Sequence, residues 1–425
     1  MSISHAWRAL RHRNFQLFFA GQGISLIGTW MTRLATTWLV YRLTHSALLL
    51  GVVSFAGQIL GFLLAPIAGA WVENLNRRKL LVVTQIAAAL QSLALAALTL
   101  THRITIPEII ALAALQGLIN AFDTPARQSF LIQMVGDRND LGNAIAINSS
   151  MVNGARLIGP AIAALVIGAA GEGFCFLIDG LSYIAVIASL LLMRLQPHIT
   201  QRHRPSMPHQ MREGWDYVRT SRPIRTILIL FSLLALMGYS YTVLLPIFAA
   251  QILHGGAYTL GALTSASGIG ALTSALSLTL RKSVLGLTRM VQIASAMLGA
   301  ALILFGLSHT LWISLVLMAF AGFGIMQCAS ASNTIIQSLV PDDKRARVMG
   351  YYTMAFFGSA PFGSLLAGAL AHRIGGPHTL FITGSTCLAG ALWFTFELPK
   401  LNADMRPILH AQGLLTPNEP STVTA

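Results

Sequence analysis

With 425 residues, of which 55% are hydrophobic and 10% charged, and a mean hydropathy of +0.67, this chain has too little polar surface for a soluble globular protein. Its net charge of +14 suits loops facing anionic headgroups. The basic residues sit on short connections and make no continuous stripe, which excludes a nucleic-acid surface. Cys175, Cys328 and Cys387 are isolated, so neither a disulfide framework nor a metal cluster is indicated.

Residues 1–14 read as a cytoplasmic N-terminus. Twelve apolar runs follow, the first at 15–41 and the last at 378–397, each of roughly 17–27 residues and so able to cross about 30 Å of hydrocarbon. The first run is far longer than a signal-peptide core and lacks a small-residue cleavage site, so it is expected to remain as a helix. All but five of the 28 Lys and Arg residues fall on the face that holds the N-terminus. Arg42, Arg103 and Arg373 fall on the other, and Arg33 and Arg156 lie inside runs. The positive-inside rule places both termini in the cytoplasm.

The expected fold is an all-α membrane protein of twelve transmembrane helices, in two pseudo-symmetric six-helix halves at 15–194 and 224–397. The polar stretch 195–223 is a cytoplasmic linker in which residues 211–219, with Trp215 and Tyr217, read as an amphipathic surface segment or a solvated loop. Residues 398–425 form a cytoplasmic tail, disordered at its end. An offset of roughly 200–210 residues aligns the halves: Leu50, Gly51 and Gly57 with Leu260, Gly261 and Gly268, Gly117 with Gly322, Asp137 with Asp342, and Pro160 near Pro361. Parallel repeats of this kind imply a substrate site between them at mid-membrane.

Three segments carry a family resemblance. These are the loop at 69–79 with Gly69, Glu73, Arg77, Arg78 and Lys79; the end of the fourth run with Asn120, Asp123, Pro125, Arg127 and Gln128; and the fifth run with Asn153, Gly154, Arg156, Gly159 and Pro160. Over residues 8–399 the chain resembles a major facilitator superfamily transporter of the enterobactin-exporter-like and macrolide-efflux-like branch. The resemblance implies a conformational latch in which Glu73, beside Arg77, engages Arg127 or Arg347, and a bendable antiporter-type contact at Gly159 and Pro160. The loop departs from the superfamily pattern at Glu73, Asn74 and Asn76. Ala113 stands where the superfamily's span-4 arginine would precede Gln116 and Gly117.

Four ionisable residues lie within spans, where an unpaired charge costs about 2.5–3.5 kcal/mol on insertion scales. Arg33 and Asp179 sit at similar depth, which allows an ion pair; Arg156 near the bilayer centre suits a substrate-anion anchor; Asp123 precedes Arg127 by one helical turn. Asp123 and Asp179 are the expected proton-coupling acids. Aligned positions of the second half carry no charge. That half offers Tyr239, Tyr241, Gln327, Asn333, Tyr352 and Phe356 for the body of a large or amphipathic ligand, with Arg33 and Arg156 meeting its charge.

The expected function is proton-coupled export of a small organic molecule, a siderophore or an amphipathic drug and preferentially an anion, across the cell inner membrane by a monomer in contact with lipid. The alternative is a lysophospholipid or lipid flippase, or an uptake permease, of the same fold. No cofactor or metal is implied. Metalloprotease, hydrolase and phosphate-loop motifs do not occur, and an enzyme is not expected.

Overall fold

The computed structural model describes residues 8–135, 138–194, 207–279 and 286–411, and every regular element in them is helical. Ten helices are long and apolar enough to cross a membrane. Two further long helices, α1 (Arg13–Thr44) and α10 (Ala257–Thr279), fall outside those ten because Gln16, Gln22 and Arg33 in one, and the Ser, Thr and Gly content of the other, dilute their apolar character.

The chain divides into two compact units, Met1–Arg202 with Leu245–Ser265, and His203–Leu244 with Ala266–Ala425. The first contains α1, α2 (Ala47–Asn74), α3 (Arg77–Leu100), α4 (Ile106–Val135), α5 (Arg138–Ala170) and α6 (Glu172–Leu192). Start signals are conventional: Ser46 accepts from the Leu49 amide, Asn76 accepts from the Lys79 amide at 3.1 Å, and Thr105, before α4, donates both its amide and its hydroxyl to Glu108 Oε2. Helix α6 packs along both α1 and α3, and α2 along α4. The last carbonyls of α6 are met by Arg78 from α3 at 2.6 Å and Arg13 from α1 at 3.2 Å. At the other end of α6, Arg42 holds the buried Glu172 with two hydrogen bonds of 2.8 and 3.1 Å.

In the second unit, α7 (Met207–Thr220) precedes a composite span, Arg222–Ile252, which continues past the unit boundary. That span is not the plain helix its apolar run suggests. It consists of α8 (Arg222–Leu233), a π-helical turn at Leu234–Gly238, α9 (Tyr241–Ile247) and a second π turn at Phe248–Ile252. Pro246 withdraws one backbone donor, and the i+5 bonds Tyr239 N–H to Leu234 O and Leu253 N–H to Phe248 O take up the extra residues. Helices α11 (Leu287–Leu307), α12 (Leu311–Leu339), α13 (Asp342–Ile374) and α14 (Gly376–Ala411) complete the unit, with α11 packed on α12 and α14.

Both units contain the same close crossing. In the first, a Cβ on Gly117 would lie 2.7 Å from the Gly57 carbonyl; in the second, one on Gly322 would strike the Ser267 carbonyl. Three helices end on left-handed histidines, His45, His102 and His254. His is among the few non-glycine types that occupy this region with any frequency.

Of the two readings of the linker, a helix rather than a loop is found: residues 207–220 are helical and docked, with Glu213 paired with Arg347 at 2.6 Å, Trp215 on Tyr351 at 5.8 Å and Lys344 over Tyr217 at 5.2 Å, all on the start of α13. The final helix also continues beyond 397 to Ala411 through Pro399 and Pro407, with Glu397 held by Arg222 at 2.7 Å. Residues 195–206 and 412–425 lie outside the described residues.

Candidate transport site

In the first unit the cationic site is built on one indole. Trp30 and Arg33 share a face of α1 at i, i+3, and α5 brings Arg156 to the same ring. The guanidinium carbons lie 5.0 Å (Arg33) and 5.7 Å (Arg156) from the Trp30 centroid. The close approach of α5 makes this possible, because a Cβ on Gly159 would come within 2.6 Å of Trp30 Cβ and 2.9 Å of the Ile27 carbonyl. Pro160 lacks the N–H that would bond the Arg156 carbonyl, so the helix loosens at the arginine itself. Among the described residues no carboxylate lies within ion-pair distance of Arg33 or Arg156.

The ion pair between Arg33 and Asp179 that their similar depth allowed is not formed. Arg33 is exposed and stacked on Trp30, whereas Asp179 is 2% exposed and faces the bundle interior. Ser92 of α3 donates to its Oδ2 at 3.0 Å, and its Oδ1 abuts Gly28 of α1 without a hydrogen-bond partner. Asp123 is a different kind of acid. Its Oδ1 accepts from Thr84 (2.9 Å) and Gln85 (2.7 Å) and its Oδ2 from Arg127, so Oδ1 has both acceptor sites filled and Oδ2 keeps one.

In the second unit an aromatic ladder occupies the region named from sequence. Tyr352 stacks on Phe231 at 4.8 Å with planes 6° apart, Phe231 stacks on Phe356 at 5.5 Å, and Tyr239 meets Phe356 edge-on at 5.3 Å. Tyr239 caps the first π turn, which sets its direction. The Tyr352 hydroxyl donates to the Ala329 carbonyl at 2.8 Å, and Asn333, half-buried, accepts from Gln337 at 2.6 Å. Two expected ligand groups are core residues instead. Tyr241 is 1% exposed with its hydroxyl 2.6 Å from Ser267 Oγ, and Gln327 is 1% exposed with its Oε1 taking Ser274 and Ser277 hydroxyls. Helix packing against α10 consumes their polar atoms.

A family model described as transmembrane secretion effector matches residues 4–419. The chain belongs to this family of the major facilitator superfamily. It is 27% identical to the staphyloferrin A transporter of Staphylococcus aureus, over 92% of this chain and 98% of that one. It is 22% identical to macrolide efflux protein A of Streptococcus pyogenes, over 91% and 97%. A crystal structure of a POT family transporter in complex with 5-aminolevulinic acid superposes with a TM-score of 0.74 at 13% identity, covering 92% of this chain and 96% of that chain, a likeness of fold. The protein is therefore a multi-pass membrane transporter and not an enzyme, and in bacteria such transporters lie in the inner membrane.

In the loop that resembles the superfamily's signature loop, two basic residues pin helices together. Arg77 reaches the Ser129 carbonyl on α4 at 3.4 Å and Arg78 the end of α6. The expected latch partners are engaged elsewhere, Arg127 by Asp123 one turn earlier on its own helix and Arg347 by Glu213. The Glu73 side chain lies outside the described residues. At the expected hinge, α5 also receives Ser265 Oγ on the Leu157 carbonyl at 3.2 Å, and the Pro160 carbonyl lies 3.0 Å from where a Cβ on Gly261 would stand.

Sequence reasoning missed Trp30, Phe231, Ser92 and Tyr183. Trp30 was detectable from its i, i+3 spacing to Arg33. Thr84, Gln85 and Ser92 recur on one face of α3, the buried one, which was also readable as a polar stripe in an otherwise apolar helix. Phe231, inside an Ile- and Leu-rich run, carries no local signal.

Proposed function

We propose that this transporter is a proton-coupled exporter of small organic anions, with twelve spans in halves at 15–194 and 224–397 and both termini cytoplasmic. The observation that carries the reading is the pair of guanidiniums on Trp30, neither compensated by a carboxylate. Two uncompensated cations in a membrane unit are costly unless a solvated cavity or an anionic ligand meets them. Positive charge concentrated on one set of connections supports the orientation. The relatives, a staphyloferrin A transporter and a macrolide efflux protein, support an exported organic substrate.

In this reading Arg33 and Arg156 hold the anionic group, and Tyr239, Phe356, Tyr352 and Asn333 contact the substrate's body. Asp179 gains and loses the coupling proton, while Asp123 holds α3 to α4 and receives protons from it. Gly159 and Pro160 let α5 bend between conformations. Arg77, Arg127 and Arg347 fasten the cytoplasmic ends, with Glu73 as the remaining member of that latch. The protein acts as a monomer.

The test is accumulation in cells stripped of their own exporters and expressing this protein. Anionic catecholates and carboxylates should be retained less than neutral amphipathic compounds of the same size. Equal retention of both classes, or exclusion of the neutral compounds alone, would overturn the anion preference.

A further inference from the structure

A line of polar side chains runs through the apolar interior of the first unit. Helix α1 contributes Ser25 and Thr29, α3 contributes Gln85 and Ser92, and α6 contributes Asp179 and Tyr183. Apart from the half-buried Thr29, each is at most 5% exposed. Such residues are expensive inside a membrane bundle unless they act together.

The two acids lie at opposite ends of this line. Ser92 holds Asp179 at 3.0 Å, and Tyr183 follows Asp179 by one turn of α6, its hydroxyl 3.5 Å from Thr29 Oγ1. The Tyr183 ring packs with Ala88 and Ala89 of α3, one turn from Gln85. Gln85 in turn donates to Asp123 at 2.7 Å. Two steps, from Asp179 to the Tyr183–Thr29 pair and from Tyr183 to Gln85, have no direct hydrogen bond, and water bridges gaps of this kind between buried polar groups.

A second observation marks the same line. Four buried oxygens, Asp179 Oδ1, Ser25 Oγ, Thr32 Oγ1 and Gln85 Oε1, have no protein hydrogen-bond partner. Buried polar atoms in native proteins are paired, and where protein does not pair them, internal water does.

We propose that this line is a hydrated proton path inside the first unit, joining Asp179 to Asp123 by way of Tyr183. It rests on the reading that transport is proton-coupled, and it assigns the route and the relay residue. A proton leaving Asp179 breaks its O–H bond and forms one on the adjoining hydroxyl or water. Tyr183 takes that proton on its oxygen as it releases its own, and is neutral before and after. The bridging water delivers one proton to the Asp123 carboxylate, which loses its charge and with it the attraction to Arg127. One proton moves and no other reactant is consumed. The titratable and charged groups around the path are Cys175 and Tyr183 beside Asp179 on α6 and Arg127 beside Asp123 on α4, while α1 and α3 present hydroxyls and amides.

Tyr183→Phe in the full chain keeps the ring in its packing and removes only the hydroxyl. Exchange of the Asp179 carboxyl hydrogen for deuterium is followed by its infrared carbonyl band, identified by the band's loss in Asp179→Asn. The expected result is exchange slowed by about 100-fold, the lower range for loss of a positioned proton-transfer group. Thr29→Val, which removes the partner of the Tyr183 hydroxyl without touching its ring, should slow exchange as well. Unchanged exchange in both variants, or no Asp179 carboxylic-acid band at any pH where the protein stays folded, overturns the path. Slowed exchange alongside wild-type transport that ignores a proton gradient would remove the coupling and leave the path. Gradient-driven transport with unaffected exchange would do the reverse.

Discussion

Replacing Arg156 by Ala removes one of two charges stacked on a single ring, and its effect can be sized from the geometry. Both guanidinium carbons lie within 5.7 Å of the Trp30 centroid, so the charges are at most about 11 Å apart. At that separation their mutual repulsion is roughly 0.4–1.5 kcal/mol for effective dielectrics of about 80 to 20. A substrate carboxylate about 4 Å from Arg156 gains roughly 1–4 kcal/mol over the same range. Arg156 is half-buried, which favours the middle of that range. The expected loss is about 2 kcal/mol, or roughly 30-fold in Kd for an anionic ligand. A neutral isostere should bind within about threefold of the wild type, because only apolar contact is lost. Arg156→Lys should fall between, keeping the charge but losing the planar stack. The assay is calorimetric binding to purified protein at low and high salt. Equal losses for the anion and its neutral isostere, or losses that do not shrink with salt, would refute the reasoning.

Three further expectations concern single contacts. Asp123→Asn leaves Arg127 facing a neutral group in a largely buried cluster; it should cost about 2–3 kcal/mol, less than a fully buried pair, and lower the melting temperature in detergent. An unchanged melting temperature would count against the anchoring role. Tyr241→Phe orphans the Ser267 hydroxyl and should cost about 1 kcal/mol of stability while leaving substrate affinity as it was. A large affinity loss would return Tyr241 to the binding surface. Glu213→Gln weakens the hold of α7 on α13, so trypsin should cut at Arg212 and Arg219 faster, read by gel against time; equal cleavage would show that the aromatic contacts of Trp215 and Tyr217 suffice.

Much of this fold was legible because the bilayer imposes a simple rule, that a spanning segment is a long apolar helix with basic flanks. The long helices follow from it, and the paired Gly117 and Gly322 crossings match the repeat read from the aligned glycines. The site was less legible. Counting along a helix put Arg33 and Asp179 at similar depth, but Asp179 abuts Gly28, five residues from Arg33 on α1, and rotation about the helix axis decides partners, with Arg33 on Trp30 and Asp179 on Ser92. Aromatic and amide residues in the second half looked alike in sequence. Packing separates them, burying Tyr241 and Gln327 with local hydroxyl partners and leaving Tyr239, Tyr352 and Phe356 in one ladder around Phe231. The π turns were unreadable, because a Pro246 inside an apolar run signals a kink without saying how the chain absorbs it.

The measurement that bears most directly on proton-coupled anion export is proton movement by the purified protein in liposomes under an imposed pH gradient, with catecholate and carboxylate substrates added on one side. Protons and substrate should cross in opposite directions, and Asp179→Asn should abolish the coupled proton flux. Substrate flux indifferent to the gradient, or protons travelling in the same direction as the substrate, would contradict it.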